Sequence, residues 1–558
     1  MVNSIVTEFV KSKSGFDTLK INGVFVHSGY DPRNEHSALF YEGNIIVLVL
    51  GGGLLYGVNN ILKNNPNALI IVYEPIIEVY SYNINIKSDV INRVLYLNNI
   101  CSERISDFIE EKNCFLEYRL KIVEPSGYRD HFISEFNEIA QIVQAAINNI
   151  TQNVLTESEF FPLWIKNIFC NISNSEEIKF LTKESKVSDQ RVACVISAGP
   201  GLNKIINDII KFRKYMSIIC VDTALKVLLE YGIEPDIIVT LDAQYYSLDD
   251  FYDKIPESSV MVADIVSYPA VGRFIPEQTF YTATENINKF IPYDKLLSNK
   301  IKPLNIVSGG TVSDYAISIA IALGYKQLIL CGLDLGFPEL KTHANGSPFH
   351  TRAVSSADYF STVDTIYAGI LSRRDPYYLK SDGEAEIFTD FILNNYRQWI
   401  TKLIEIKKDI EFFIPSNISV IPIRGIKRAL IEDIVVNDKG SSMIIDYRKS
   451  ESNIIMLQNT LVELYDYSKV LSVYIDMYND EKNINSEIIE DIHNKIDEIE
   501  TKYPFFKRFT IMTLLLLSKK SVTRESGFLW YKHYSFKLLQ SIYYIIRIVQ
   551  KITNRHQS

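Results

Sequence analysis

From Ile45 onward the chain alternates short apolar runs with segments whose apolar residues fall at helical spacing. Ile45 to Leu50 is an unbroken apolar run that reads as a buried strand. It breaks at Gly51-Gly-Gly53, a helix is predicted from about Leu54 to Asn64, and a second strand, Leu69 to Tyr73, ends on Glu74. This is the opening of a βαβ unit. The same grammar returns where the strand Val192 to Ser197 meets Gly199-Pro-Gly201. Leu202, Ile205, Ile206, Ile209 and Ile210 then follow at i, i+3, i+4, i+7 and i+8, the stripe of a helix laid on a sheet. Strands are predicted at Ser217 to Val221, Asp236 to Leu241, Val260 to Ala263, Thr279 to Thr282, Leu304 to Val307 and Gln327 to Cys331, with a helix from about Val312 to Leu323. Such alternation gives an α/β fold, a mostly parallel sheet with helices on both faces. After about residue 430 glycine nearly vanishes, and Ile, Leu and Tyr recur at helical spacing through Asn453 to Met477, Ile484 to Lys502 and Phe536 to Ile552, the pattern of a helical bundle.

The pattern divides the chain into an N-terminal Rossmann-like α/β domain (1–160), a central doubly wound α/β domain (161–430) and a C-terminal helical domain (431–558). A length of 558 residues agrees with several cores rather than one. Gly51, Gly53 and Glu74 each lie 148 residues before Gly199, Gly201 and Asp222, so the two glycine turns and the two strand-terminal acids share their spacing. Duplication or shared βαβ geometry gives such a register, and geometry alone suffices.

Composition narrows the partners. The net charge is −9, and no basic field exists of the kind that phosphate backbones require, so nucleic acid is not expected as a partner. The longest apolar runs, such as Phe509 to Leu517, fall far short of the ~20 residues that span a bilayer, and Met1 to Lys20 lacks a signal-peptide core. A cytoplasmic protein with no membrane span is expected. The six cysteines, Cys101, Cys114, Cys170, Cys194, Cys220 and Cys331, lack CxxC spacing and are expected as reduced thiols.

In an open parallel sheet, ligands bind beyond the C-terminal ends of the strands. Candidate residues gather at such ends: Gly199, Gly201 and Asn203; Asp222 and Thr223; Asp242 and Gln244; Ser308, Gly309, Gly310 and Thr311; and Asp334. Capping accounts for some of these positions equally well, because Asp222, Asp242 or Thr311 before a helix would satisfy orphan N–H groups. The loop Gly336 to His350 carries His343 and His350, and histidine near its ordinary pKa suits proton abstraction from a hydroxyl. Arg352, Arg373 and Arg374 follow as basic groups. No Asp-x-Asp pair, the usual diphosphate–metal clamp of sugar-nucleotide enzymes, ends a strand of the central region.

Val195-Ile-Ser-Ala-Gly-Pro-Gly-Leu-Asn203, Asp222-Thr-Ala-Leu225, Gly232-Ile-Glu-Pro-Asp236, Thr240-Leu-Asp242, Ser308-Gly-Gly-Thr-Val312 and Cys331-Gly-Leu-Asp-Leu-Gly-Phe337 together resemble, in order, the core motifs of the motility-associated factor (Maf) proteins. That group extends to an archaeal 6-hydroxymethylpterin diphosphokinase. Tyr73-Glu-Pro75 and Phe161-Pro-Leu-Trp-Ile-Lys-Asn167 are similar to the N-terminal part of the family. The resemblance implies a sialyltransferase-like central domain and transfer of a nonulosonic acid, pseudaminic or legionaminic, from a CMP-activated donor to Ser or Thr of flagellin. It implies no metal in the chemistry and no other cofactor. By the same analogy Gly199, Gly201, Asn203, Asp222, Thr223 and Ser308 to Thr311 would bind the nucleotide, Gln244, Asp334 and His350 would contact the substrate, and His343 and Asp242 would be catalytic. Family members often carry Ser where this chain has Gly201, so any phosphate contact there would rest on backbone alone. Competing readings are an ATP- and Mg²⁺-dependent diphosphokinase using Asp222, Asp242 and Asp334, a non-catalytic flagellin-binding protein, and a methyltransferase built on the first glycine turn.

Overall fold

A computed structural model of the chain describes residues 5–451 except 42–44, 67, 87–91, 113–118, 126, 174–176, 188–191, 252–254, 289–302, 382–385, 419 and 436–447. The three helical stretches expected after residue 452, and Cys114, lie outside the described residues. The chain divides after Phe160 into two compact units.

The first unit opens with an antiparallel three-stranded sheet, Thr7–Lys11, Asp17–Ile21 and Val24–Phe25, which the apolar pattern did not announce. A four-stranded parallel sheet follows in the order Val94–Leu97, Leu69–Tyr73, Ile45–Leu50, Arg119–Val123. Ile45–Leu50 and Leu69–Tyr73 are buried at every position because helices or loops cover both faces. Each such aliphatic side chain contributes about 1.5–3 kcal/mol when fully removed from water.

The glycine turn of this unit is closed by its own side chains. Gly53 N–H donates to Glu74 Oε2 at 3.0 Å, Ile76 N–H to Glu74 Oε1 at 3.1 Å, and Tyr128 O–H to Glu74 Oε2 at 2.8 Å. Leu54 N–H donates to His27 Nε2 at 2.6 Å, which fixes the proton of that ring on Nδ1, facing Glu35 at 2.5 Å. A Cβ on Gly51 would lie 2.5 Å from the Tyr128 ring, and φ there is +95°, so only glycine fits.

In the second unit the parallel strands run in the order Lys427–Ala429, Glu411–Pro415, Gln327–Cys331, Val192–Ile196, Met216–Val221, Ile237–Thr240, Val260–Asp264, Thr279–Thr284. Asn305–Ile306 and Glu177–Phe180 both pair with Thr279–Thr284, and Arg448–Glu451 joins Glu177–Phe180 antiparallel. Residues 431–435 and 448–451, which the pattern places at the start of the helical tail, therefore belong to this core and sheet. After the strand Glu177–Phe180 at one side, the chain enters the middle at Val192–Ile196, builds outward to Thr279–Thr284, and returns to the other side with Gln327–Cys331. Between Val192–Ile196 and Gln327–Cys331 the order reverses, and the crevice beyond their C-terminal ends is where ligands of such sheets sit.

The helix Leu202–Phe212 buries Leu202, Ile205, Ile206 and Ile209, while Ile210, expected on the stripe, is 45% exposed at its edge. The helix Val312–Ala322 starts on a capping box in which Thr311 and Asp314 satisfy each other's backbone N–H groups, and it is buried over most of its length. Two asparagines one turn apart on the helix Arg129–Ser173 hold neighbouring strand ends. Asn167 Nδ2 donates to Ala243 O and Val266 O, and Asn171 Nδ2 to Ile265 O and Ser267 O.

Candidate functional site

At the switch point the two strand ends are tied by their backbones. Ser197 N–H donates to Cys331 O at 2.8 Å and Gly199 N–H to Gly332 O at 2.9 Å. Gly201 N–H donates to Asp334 Oδ2 at 2.9 Å. A Cβ on Gly199 would stand 2.1 Å from Asp334 Oδ2, and one on Gly201 2.3 Å from Asp334 Oδ1, so both glycines are there to let this carboxylate approach. Asp334 is buried, its Oδ1 has no partner among the described residues, and burial pushes its pKa up to about 6 against the opposing pull of Gly201 N–H and Lys204. It stands at the N-terminus of Leu202–Phe212, where the helix favours an anion.

The loop after Asp334 is fastened to the same turn. Ala344 N–H donates to Ala198 O at 2.8 Å, Asn345 N–H to Asn203 Oδ1 at 2.8 Å, and Asn203 Nδ2 back to Asn345 O at 3.3 Å. Asn203 thus positions the segment carrying His343. The His343 ring lies parallel to Phe349 at 4.1 Å between centroids, and the Arg352 guanidinium sits 4.6 Å from the same Phe349 centroid. His343 Nδ1 is 3.1 Å from Thr342 Oγ1, and Nε2 has no partner among the described residues. The expected pKa near the ordinary histidine value does not hold: burial, with the charges of Arg374 and Arg352, pushes it down to about 4. His343 is therefore a neutral imidazole at pH 7 with Nε2 open, and a weaker base than an ordinary histidine. His350 is placed otherwise, in the first turn of the helix Pro348–Ser356, with Nδ1 2.9 Å from Tyr367 O–H. Burial lowers its pKa.

On the neighbouring strand ends, Asp222 is buried and accepts from Thr240 O–H and from Thr223 N–H, each at 2.8 Å. Burial raises its pKa, partly offset by those two donors. Asp242 is exposed and accepts from Gln244 N–H at 2.9 Å. Partial desolvation still raises its pKa, with that N–H opposing. The short 3-10 segment Tyr245–Phe251 packs on the helix Asp222–Glu230 and carries two carboxylates that the sequence reading passed over. Asp249 Oδ2 accepts from Arg352 Nη1 at 2.8 Å. Asp250 is 8% exposed with no hydrogen-bond donor among the described residues, and burial together with the charge of Asp222 raises its pKa strongly. Adjacent acids shortly after a strand end were the available signal.

Ser308 to Thr311 are engaged locally. Ser308 O–H donates to Asp314 Oδ1 at 2.7 Å, Gly310 N–H to Ser308 Oγ at 3.2 Å, and Gly309 lies against Trp399. Burial raises Asp314 to about 6 despite the donors from Ser308 and Thr311. The structure thus joins Gly199, Gly201 and Asp334 directly, ties Asn203 to the segment next to His343, and links His343 through Phe349 and Arg352 to Asp249 and the Asp222, Asp242 and Asp250 side of the rim. No hydrogen bond connects Ser308 to Thr311 with either group. Among the described residues no three His, Cys, Asp or Glu side chains converge as a metal ion requires, and no helix is long and apolar enough to cross a membrane. Cys101, Cys170, Cys194, Cys220 and Cys331 are all free thiols.

Residues 164–340 match the protein family described as 6-hydroxymethylpterin diphosphokinase MptE-like. An uncharacterized protein of Treponema pallidum is 22% identical over 365 residues, 62% of either chain, so this chain spans under two thirds of that relative. A 6-hydroxymethyl-7,8-dihydropterin pyrophosphokinase of Methanothermobacter thermautotrophicus is 31% identical over 146 residues, a quarter of this chain and 56% of that protein. Among solved structures, a Maf glycosyltransferase from Magnetospirillum magneticum AMB-1 matches over 98% of this chain and 92% of its own, with a TM-score of 0.56 at 14% identity. Both sides of the resemblance read from the motifs are thus met, an MptE-like central region within a Maf-like fold. At that identity the structural likeness concerns the fold alone.

Proposed function

We propose that this chain is a glycosyltransferase that moves a nonulosonic acid, pseudaminic or legionaminic, from a CMP-activated donor to a Ser or Thr hydroxyl of flagellin. The observation that carries the reading is the placing of His343, whose Nε2 has no partner among the described residues, at the rim of the switch point. The likeness in fold to a Maf glycosyltransferase supports it. In this reading the acceptor hydroxyl attacks the anomeric carbon as CMP departs, and His343 Nε2 takes the hydroxyl proton. The nearby guanidinium groups would stabilise the departing phosphate. No metal is needed for such a step. The acceptor and donor place the reaction in the cytoplasm.

The match to a pterin pyrophosphokinase favours one second reading, phosphoryl transfer with Mg²⁺ on Asp222, Asp242 and Asp334. The geometry gives it less support, because among the described residues no three such side chains converge as a metal ion requires. Intact-mass measurement of flagellin co-expressed with this protein, in a host that makes CMP-activated nonulosonic acids, separates the readings. A mass increase in nonulosonic-acid steps is expected. An unchanged flagellin mass, with Mg²⁺-dependent AMP release from ATP and a hydroxymethylpterin, would establish the kinase instead.

A further inference from the structure

Two guanidinium groups depress the basicity of His343, and they are held in different ways. Arg374 Nε donates to Asp390 Oδ2 at 2.5 Å, and Asp390 is buried and caps the helix Phe391–Ile406 through Leu393 N–H. Breaking that pair would strand a buried charge, so it is part of the framework. Arg352 differs. It is exposed, its guanidinium lies against Phe349, and its ion pair is with Asp249, the two side chains being 46% and 34% exposed. A pair so open to water contributes little. An incoming anion that presents two oxygens to the guanidinium fork can therefore replace Asp249.

We propose that Arg352 anchors an anionic group of the substrate, a sugar carboxylate or a nucleotide phosphate, and that Asp249 is the placeholder this group displaces. The proposal rests on the glycosyltransferase reading, which supplies a substrate bearing both groups. Because Phe349 touches both His343 and Arg352, an anion held by Arg352 is also held at a fixed place relative to the imidazole. Arg352 is then a binding residue and Phe349 a positioning residue.

The test is calorimetric titration of the full chain with CMP and with CMP-N-acetylneuraminic acid, for the wild type and for Arg352→Gln, Arg352→Lys and Asp249→Asn, each checked for an unchanged melting temperature. Arg352→Gln should weaken binding roughly tenfold or more, as loss of a charged hydrogen bond does, with Arg352→Lys between the two. Asp249→Asn should tighten binding a few-fold by freeing the guanidinium. Loss with both ligands assigns the phosphate, and loss with the sugar nucleotide alone assigns the carboxylate. Wild-type affinity in Arg352→Gln for both ligands, or no gain in Asp249→Asn, overturns the proposal while leaving the function intact. Failure of the wild type to bind either ligand overturns the function and this proposal together.

Discussion

The two glycine turns, 148 residues apart, have the same sequence spacing and opposite connections. Each follows a buried parallel strand, and in each a glycine N–H is taken by a buried carboxylate of the chain itself. At Gly53 the carboxylate is Glu74, the strand-terminal acid of the next strand, and His27 and Tyr128 complete the closure. At Gly201 it is Asp334, which arrives across the switch point from a strand far along the chain. The strand-terminal acid of the second copy, Asp222, is turned instead toward Thr240. The first turn is sealed against its own unit. The second is linked to the loop that carries His343, so the spacing of a motif reports its backbone while the partner of the turn reports its use.

If the first turn is a seal, opening it should cost stability and nothing else. Glu74→Ala leaves Gly53 N–H, Ile76 N–H and Tyr128 O–H without their acceptor, and at 1–3 kcal/mol for each buried orphan the expected loss is about 4 kcal/mol. Urea denaturation followed in the N-terminal unit measures it. A loss below 1 kcal/mol would mean that the turn is not held in this way.

The histidines sharpen the contrast. His343→Ala should slow transfer roughly 10²-fold, the usual worth of a positioned base and about 2.7 kcal/mol of barrier. His27→Ala, whose histidine accepts from the first turn, should leave turnover per folded molecule unchanged. Equal activity of His343→Ala and wild type removes it from the role of base, and a large loss of turnover in His27→Ala would bring the first turn into the chemistry.

Much of the fold was legible in the sequence because buried parallel strands are unbroken apolar runs. Ile45–Leu50, Leu69–Tyr73 and Gln327–Cys331 end where the pattern ends. Thr7–Lys11 and Val24–Phe25 were not legible, since their half-exposed residues mix charge with aromatics and show neither period. Within the site, the capping role of Thr311 can be read from Thr-x-x-Asp, a purely local motif. Asp334 on Gly201 cannot, because 133 residues separate them and only the reversal of strand order brings them together. The depressed pKa of His343 was hidden for the same reason: its causes are burial and two arginines on later elements.

Substituting the glycines tests the comparison more gently. Gly51→Ala must place a methyl group on the Tyr128 ring at φ +95°, and about 2 kcal/mol of stability should be lost with turnover per folded molecule retained. Gly201→Ala has an ordinary helical φ, so its methyl group acts by pushing Asp334 away, and turnover should fall more than stability. A reversal, with Gly51→Ala the less active folded enzyme, would break the assignment of seal and site.

The last contrast is a difference in pH response. Glu74 is the one raised carboxyl of the first unit among the described residues, at about 7. The second unit has Asp264 at about 7, Asp314 and Asp334 at about 6, and Asp222 and Asp250 raised as well, each chiefly by burial. A carboxyl whose folded pKa lies above its unfolded value keeps a proton that the unfolded chain gives up. Stability is therefore full below the unfolded pKa and falls as pH rises toward the folded one, by at most about 1.4 kcal/mol per pH unit for each group. Both units should accordingly gain protection between pH 8 and pH 5, the second more than the first. Amide hydrogen exchange of peptides from each unit, corrected for intrinsic rates, reads the two slopes separately. Glu74→Gln should flatten the slope of the first unit between pH 5 and 7 and leave that of the second unchanged. Equal slopes in the two units would show that the central carboxyls are more hydrated than their burial implies.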